Sequence, residues 1–275
     1  MYSHILFEVA DPVATITLNR PEKLNAWTDL MGREVRHAMA RAEANPQVVA
    51  IVLTGAGRGF CAGADMALLS SLAGSGTFES SAAPALDADP GDPALSAFRG
   101  SYSYFASITK PVIAAINGPC AGMAIPIVLF CDIRFASDRA TFLTAFSRRG
   151  LIAEWGISWI LPRLVGAGRA LDLLFSSRTV DAAEAERIGL VNRVISHDEL
   201  LDATRAYVEE LARHTSPTSL KVMKSEVYRH LTESLDRAEA DALTLMAESI
   251  QRPDFAEGVS AFLEKRPPRF ARVGR

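Results

Sequence analysis

The sequence predicts an α/β fold with a helical C-terminal part, and three observations support this prediction. Two apolar runs of strand length, VVAIVL at residues 48–53 and VIAAI at residues 112–116, contain no polar residue, which is typical of parallel strands covered on both faces. Segments with helical character alternate with the strands, as they do where right-handed crossovers build a parallel sheet. After residue 168 the apolar residues recur at helical spacing.

Turn and capping signals delimit the individual elements. Asp11-Pro12 separates two short strands, and Thr28 with Asp29 can cap a helix. Asn117-Gly118-Pro119 ends the second apolar run. The predicted strands are residues 5–9, 13–20, 48–53, 112–116, 133–135 and 140–143, and the predicted helices are residues 28–44, 97–107, 122–131, 168–176, 181–188, 199–213, 217–231, 234–250 and 254–265.

Residues 70–97 differ in composition from the rest of the chain. Their sequence, SSLAGSGTFESSAAPALDADPGDPALSA, is rich in Ser, Ala, Gly, Pro and Asp. This composition is typical of a mobile loop or lid and not of a packed element. We expect the segment to shape a ligand pocket, with simple disorder as the alternative.

Composition and charge exclude several classes of protein. The 275 residues are 49% hydrophobic and 22% charged, which suits a chain with a sizeable buried core. A net charge of −3 does not supply the basic surface that sequence-independent binding to nucleic acid requires. Three cysteines are too few for a disulfide framework, which favours the cytoplasm, and we identify neither a signal peptide nor an apolar run long enough to cross a membrane.

Two turns rich in small residues each follow a predicted buried strand. In the first turn (residues 54–65), Gly57, Gly59 and Ala62 loosely match a dinucleotide fingerprint, but their strand does not open a βαβ unit. A tight turn is one alternative; backbone N–H groups that are free to contact a ligand fit better. The second turn (residues 117–123) leads into a helix whose first N–H groups lack intrahelical partners. Two such turns can surround one oxygen with two donors, as in an oxyanion hole.

Six ordered blocks of the sequence resemble the crotonase (enoyl-CoA hydratase/isomerase) superfamily. They are NRPEKLNA, LTGAGRGFCAGADM, KPVIAAINGPCAG, CDIRFAS, DAAEAERIGLVNRVIS and FLEKRPPRF, and the resemblance covers residues 7–270. It implies a ClpP/crotonase spiral of β-β-α units in residues 1–200, a helical trimerisation region in residues 201–275, and an acyl-CoA thioester substrate. The partners implied are further copies of the chain, in a homotrimer or a hexamer.

The resemblance also assigns roles to residues in both turns. The backbone N–H groups of Ala64 and Met123 are expected to bind the thioester oxygen, although the family usually has glycine where Met123 stands. Coenzyme A is then part of the substrate, no separate cofactor is implied, and the five histidines show no spacing typical of metal ligands. The expected CoA-binding residues are Lys23, Leu24, Ala62, Gly63, Asp65, Met66 and Gly122, with Phe262 and Lys265 approaching CoA from a C-terminal helix, often that of a neighbouring subunit.

The lysines among these residues have two interpretations. A lysine at either position suits a CoA phosphate, whose charge it would neutralise. Taken singly, Lys23 and Lys265 are equally compatible with solvated surface charge.

The sequence departs from the hydratase pattern of this family at two positions. Pro126 and Phe146 stand where the well-studied hydratases carry the two glutamates that hold and activate water. Glu154, four residues after Gly150, matches the position of the single catalytic carboxylate in three other branches of the family. These are the peroxisomal-type enoyl-CoA isomerases, the ring-opening isomerase of phenylacetate breakdown and the chlorobenzoyl-CoA dehalogenase. Isomerisation of a 3-enoyl-CoA to a 2-enoyl-CoA needs only one base.

Alternatives remain for the residue and for the function. A carboxylate with apolar neighbours has a raised pKa, which suits proton transfer, whereas an ion pair of Glu154 with Arg148 or Arg149 would be purely structural. Isomerisation with Glu154 as the base is the first hypothesis. Hydration by Glu154 alone is the second. The third is a protein that binds CoA esters, or another partner, on a scaffold that has lost its activity.

Overall fold

The protein is described here by a computed structural model, which covers residues 2–66, 70, 74 and 89–274. The strands in these residues are β1 (Ile5–Ala10), β2 (Val13–Leu18), β3 (Ala50–Gly55), β4 (Val112–Ile116), β5 (Cys120–Ala121), β6 (Ile133–Ser137), β7 (Thr141–Leu143), β8 (Val180–Asp181) and β9 (Arg193–Ile195). The α-helices are α1 (Asp29–Ala44), α2 (Tyr104–Ser107), α3 (Ala124–Leu129), α4 (Ile157–Val165), α5 (Ala167–Ser176), α6 (Ala182–Arg187), α7 (Leu200–His214), α8 (Pro217–His230), α9 (Leu235–Ile250) and α10 (Pro253–Glu264). Short 3₁₀ turns occupy Pro21–Lys23, Ser147–Arg149 and His197–Glu199.

The strands form two sheets. The larger has the order β1-β2-β3-β4-β6-β9, in which β1 and β2 are antiparallel and the remaining neighbours are parallel. The smaller has the order β5-β7-β8. Along the chain, β4 and β6 of the large sheet are followed at once by β5 and β7 of the small one. This recurring β-β-α unit builds the spiral that the resemblance to the crotonase superfamily implies.

The large sheet is covered on both faces, which explains its continuous apolar strands. The side chains of Met31, Val35 and Met39 on α1 are fully buried in the main core, together with Ile51 of β3. A second buried cluster joins Val52 and other sheet residues to α7. Every residue of β4 is buried as a result.

The cap predicted for α1 is confirmed. The Thr28 hydroxyl accepts a hydrogen bond from the Met31 N–H (3.1 Å), which satisfies one of the free donors at the helix start. The ends of the strands β1 and β2 also match those of the two predicted N-terminal strands to within two residues.

The predicted helix at residues 97–107 is wrong over most of its length, because only Tyr104–Ser107 are helical. The Gly100 N–H donates to the Ser103 hydroxyl (3.0 Å) just before α2. A serine that binds the local backbone in this way competes with helix formation. Phe98 instead enters the core from an irregular segment.

Other elements also differ from the sequence prediction. The helix α4 is absent from it, because Gly156 before the helix and Pro162 inside it are both breaking signals. The helix α3 is shorter than predicted, since Gly122 (φ +52°) still belongs to the preceding turn. The strands β5, β8 and β9 are two or three residues long. They are too short for an alternation of apolar and polar residues to be recognised in the sequence.

The predicted loop at residues 70–97 lies mostly outside the described residues. In its described end, the Gly91 N–H donates to the Glu43 carboxylate (2.9 Å) and the Asp92 N–H donates to the Ser107 carbonyl (2.7 Å). Leu95 is buried in the core. Residues 89–97 are therefore packed against α1 and α2, unlike the mobile loop that composition predicts for them.

The C-terminal helices are tied to the core through α8. Asp132 forms an ion pair with Lys224 (2.7 Å) and accepts hydrogen bonds from the Tyr228 hydroxyl (2.9 Å) and the Val112 N–H (2.7 Å). The helices α9 and α10, by contrast, expose large apolar side chains: Leu235, Leu243, Met246, Ile250, Phe255, Val259, Phe262 and Leu263.

The predicted boundary at residue 200 between the spiral core and the helical region stays a prediction. The helix α7, which begins at this boundary, packs on the large sheet of the core, whereas α9 packs on α8 and α10. No helix in the described residues is long and apolar enough to cross a lipid bilayer.

Candidate active site

The first turn is fixed by backbone pairing with Trp27. The Trp27 N–H donates to the Gly63 carbonyl (2.7 Å), and the Asp65 N–H donates to the Trp27 carbonyl (2.9 Å). In this parallel pairing, Gly63 and Asp65 on either side of Ala64 form the two hydrogen bonds, and Ala64 itself forms neither. Within the described residues, the Ala64 N–H therefore has no acceptor and can donate to a ligand.

The second turn presents an equivalent donor. The Gly122 N–H donates to the Leu143 carbonyl (2.8 Å), and the left-handed conformation of Gly122 then turns the chain into α3. Met123 precedes the first residue of α3, so its N–H lies at the end of the helix where intrahelical acceptors are missing. In the part of the chain that the structure describes, this N–H also has no acceptor.

The two turns lie side by side. Cys61 of the first turn pairs in parallel with Cys120 of the second, and the Ala121 N–H donates to the Cys61 carbonyl (3.0 Å). Ala64 and Met123 each follow the paired cysteine of their turn by three residues. Because paired parallel segments run in register, both free N–H groups reach the same end of the pairing. This is the arrangement required of two donors to one oxyanion.

Glycine is essential where the turns meet. Gly63 has a φ of +98°, and a Cβ atom built there would lie 3.0 Å from the Ala121 carbonyl oxygen and 3.6 Å from the Gly122 Cα. A side chain would therefore push the backbones of the two turns apart, in addition to straining its own.

Two residues that our sequence reasoning missed hold the first turn in place. The Asn25 side chain donates to the carbonyls of Ala56 (2.9 Å) and Gly59 (2.8 Å), and it is fully buried. The Arg20 guanidinium forms an ion pair with Asp65 (2.9 Å). Both lie in the NRPEKLNA block, so the sequence signal that could have found them was present. Asp65, predicted to line CoA, thus also fixes the turn.

Glu154 is half-buried in the loop before α4. Burial raises the pKa of its carboxyl group, and an interaction with the Trp155 side chain opposes this shift only in part. The purely structural alternative is not observed: Arg148 donates to the Ser176 carbonyl (3.4 Å) and Arg149 to the Ala145 carbonyl (3.2 Å). Among the described residues, neither arginine forms an ion pair with Glu154.

An aromatic cluster connects the Glu154 loop to the first turn. The Tyr102 ring makes edge-to-face contacts with Trp27 (5.8 Å between ring centroids) and with Trp155 (5.3 Å). Trp27 is the residue paired with Ala64, and Trp155 directly follows Glu154. Sequence reasoning missed Tyr102, because such contacts between distant parts of the chain leave no local pattern.

The Glu154 loop also packs on the second turn's helix. A Cβ atom at Gly156 would lie 3.2 Å from the ring of Phe130, which follows α3. The fold therefore brings the loop that carries Glu154 against elements of both turns.

The raised pKa of Glu154 predicts a pH-dependent change in stability. A carboxyl group whose folded-state pKa is raised contributes stability that is fully present below the unfolded-state pKa and is lost as the pH rises through the folded-state value. Because glutamine has no charged form, Glu154→Gln does not undergo this loss of stability at higher pH. We therefore expect the variant to have a higher Tm than the unmodified protein at pH 7, and the difference to disappear at about pH 4. Thermal unfolding at both pH values measures this; an equal difference at both would contradict it.

The other predicted site residues fall into two groups. Leu24 accepts a hydrogen bond from the Ala62 N–H (2.9 Å), with exposed Lys23 beside it and Met66 exposed at the end of the first turn. Phe262 (83% exposed) and Lys265 are exposed at the C-terminal end of α10. The single chain gathers the first group at the turns and leaves the second group on the C-terminal helices.

Apolar side chains occupy the two positions at which hydratases carry glutamate. Pro126 is buried inside α3, and Phe146 is buried in the segment after β7. No group of three or more His, Cys, Asp or Glu residues that could hold a metal ion occurs in the described ranges.

Comparison with protein families and relatives places this geometry in context. A family model described as enoyl-CoA hydratase/isomerase matches residues 8–272. A probable enoyl-CoA hydratase of Mycobacterium bovis is 35% identical over 98% of both chains. The 1,2-epoxyphenylacetyl-CoA isomerase of Escherichia coli is 36% identical over 98% of this chain and 99% of the relative. A 4-chlorobenzoyl coenzyme A dehalogenase of Arthrobacter is 34% identical over 95% of this chain and 91% of the relative.

Solved structures agree with the sequence comparison. A crystal structure of an enoyl-CoA hydratase subunit from Geobacillus kaustophilus superposes with a TM-score of 0.84, at 30% sequence identity, over 100% of this chain and 99% of the other. The similarity extends over the spiral and the C-terminal helices alike.

Proposed function

The chain belongs to the enoyl-CoA hydratase/isomerase family, and from this we propose that it is an enoyl-CoA isomerase that converts a 3-enoyl-CoA into a 2-enoyl-CoA. The observation that carries the proposal is the set of acid positions. Glu154 is a half-buried carboxylate in a loop that packs against Phe130 after α3 and against Tyr102, whereas Pro126 and Phe146 leave no second acid where hydratases of the family place theirs.

The proposed mechanism uses one base and two backbone donors. The thioester oxygen accepts hydrogen bonds from the N–H groups of Ala64 and Met123. Glu154 removes a proton from the α carbon, the electron pair moves to the oxygen to form an enolate, and the two donors stabilise the charge. The protonated Glu154 then returns the proton to the γ carbon, and the double bond moves to the 2 position. A raised carboxyl pKa assists both transfers.

CoA binding and assembly are part of the same proposal. The residues of the two turns with Lys23, Leu24 and Met66 line the CoA moiety, with no separate cofactor or metal. Phe262 and Lys265 approach it from a neighbouring subunit in a homotrimer or hexamer. The exposed apolar side chains of α9 and α10 support this assembly, because contacts between subunits would bury them.

Hydration is the second candidate, because several relatives are named as probable enoyl-CoA hydratases. Their names do not favour isomerisation over hydration. In this case Glu154 alone would activate the water that adds to a 2-enoyl-CoA. The third alternative, a protein that only binds CoA esters, remains compatible with the missing acids.

A screen with acyl-CoA thioesters separates these candidates. The purified protein is incubated with 3-hexenoyl-CoA, crotonyl-CoA and hexanoyl-CoA, and chromatography distinguishes double-bond migration, hydration and thioester hydrolysis. We expect migration in 3-hexenoyl-CoA. Hydration of crotonyl-CoA without migration would support the second candidate, and binding without turnover would support the third.

A further inference from the structure

The two turns do not continue the register of the strands that precede them. Leu53 of β3 pairs with Ala114 of β4, 61 positions later in the chain. Cys61 of the first turn pairs with Cys120 of the second, which is 59 positions later. The first turn therefore contains two residues more than the second, and these extra residues loop out after β3.

The side chain of Asn117 spans this loop, which comprises residues 55–59. The Gly55 N–H donates to the Asn117 Oδ1 (3.2 Å). The Asn117 Nδ2 donates to the carbonyls of Gly57 (2.9 Å) and Gly59 (3.3 Å). Asn117 directly follows β4 and is 8% exposed, so a buried amide of the second turn binds three residues of the first.

The backbone after Asn117 lies directly against the same loop. A Cβ atom built at Gly118 would lie 2.2 Å from the Arg58 carbonyl oxygen, so a side chain does not fit there. One residue further on, the Pro119 carbonyl accepts a hydrogen bond from the Cys61 N–H (3.1 Å). The amide of Asn117 therefore binds the loop where it closes, just before the paired segments that lead to the two donors.

This place in the fold gives Asn117 control over the register of the two turns. Glycine-rich segments specify their register weakly, and residues 55–63 contain four glycines. A slip of one residue would move the Ala64 N–H by about 3.3 Å along the chain. The N–H groups of Ala64 and Met123 could then no longer both lie within hydrogen-bond distance of one oxygen.

We propose that Asn117 is a positioning residue of the active site. Its amide closes the loop of residues 55–59 and so sets the register in which the N–H groups of Ala64 and Met123 meet at one oxygen. This inference rests on the proposed function, in which that oxygen belongs to an acyl-CoA thioester. Loss of the amide should therefore weaken the polarisation of the bound thioester.

Infrared spectroscopy of bound hexanoyl-CoA tests the inference without requiring turnover. Difference spectra of the ester with and without ¹³C at carbon 1 of the acyl chain isolate the stretching band of the thioester carbonyl. Two N–H donors polarise this carbonyl and lower its stretching frequency relative to the free ester. We expect this decrease in the unmodified protein, and we expect Asn117→Ala to lose more than half of it at a saturating concentration of the ester.

Tyr228→Phe is the control for an effect on stability alone. The Tyr228 hydroxyl donates a buried hydrogen bond to Asp132 (2.9 Å), which links α8 to the core and makes no contact with the loop of residues 55–59. This variant should lose stability, measured by thermal unfolding, and keep the full decrease in carbonyl frequency. If Asn117→Ala does not fold, Asn117→Ser replaces it, because the shorter side chain cannot span from Gly55 to Gly59.

Two results would overturn the inference and leave the proposed function intact: a decrease in frequency that survives the replacement of Asn117, or an equal loss of the decrease in Tyr228→Phe. If hexanoyl-CoA binds the unmodified protein without any decrease, or does not bind it, the proposed function fails together with the inference.

Discussion

Replacing Glu154 by glutamine is expected to abolish the turnover of 3-enoyl-CoA while CoA esters still bind almost normally. Glutamine has nearly the shape of glutamate but cannot accept the α proton. Because the proposed mechanism uses this carboxylate both to remove and to return the proton, we expect kcat to fall by at least about 10³-fold. Steady-state kinetics gives kcat, and calorimetry with hexanoyl-CoA gives the Kd.

Two further variants define what this loss means. Glu154→Asp keeps a carboxylate on a shorter side chain and should retain part of the activity. Arg149→Gln, in the same loop, changes a side chain that bonds only to the Ala145 carbonyl among the described residues and should stay active. Unchanged turnover in Glu154→Gln would remove Glu154 from the mechanism.

Replacing Gly63 by alanine is expected to reduce kcat by about 10²-fold or more, comparable to the loss of one oxyanion donor. The new Cβ atom would lie 3.0 Å from the Ala121 carbonyl oxygen, and the two turns would have to separate. The N–H groups of Ala64 and Met123 would then no longer meet at one oxygen. The variant should also lose about 1 kcal/mol or more of stability, because its φ of +98° strains any residue with a side chain.

Gly166→Ala separates the effect on the site from the backbone strain. Gly166 also has a positive φ (+82°), but a Cβ atom there meets no atom within 4 Å. This control should lose stability and retain kcat. Thermal unfolding and steady-state kinetics on both variants measure the difference. Equal kcat values would contradict the assigned role of the two turns.

Much of the fold can be predicted from the sequence, because local patterns report burial. The strands β3 and β4 carry no polar side chain on either face until the last residues of β3, since helices cover the sheet on both sides. The Thr28 cap defines the start of α1 for a similarly local reason. The small residues of the two turns also mark the site, because only they allow such close backbone contact.

The remaining features depend on contacts between distant segments. Gly156 and Pro162 are helix-breaking signals, so the sequence does not predict α4. Packing of its apolar face nevertheless stabilises the helix. The environments of Tyr102 and Glu154 arise from side chains that are far apart in the chain. Sequence alone therefore identifies Glu154 as a candidate base through resemblance, but cannot supply the aromatic cluster that connects its loop to the first turn.

The central claim is that one carboxylate moves a proton from the α to the γ carbon, and isotope transfer tests it most directly. The unmodified protein is mixed in excess with 3-hexenoyl-CoA that carries two deuterium atoms at carbon 2, and one turnover in ordinary water is followed by NMR and mass spectrometry. The proposed mechanism predicts slower conversion than for the unlabelled ester, with deuterium appearing at carbon 4 of the 2-hexenoyl-CoA product. Equal rates for the two esters, with all of the new hydrogen at carbon 4 derived from water, would contradict it.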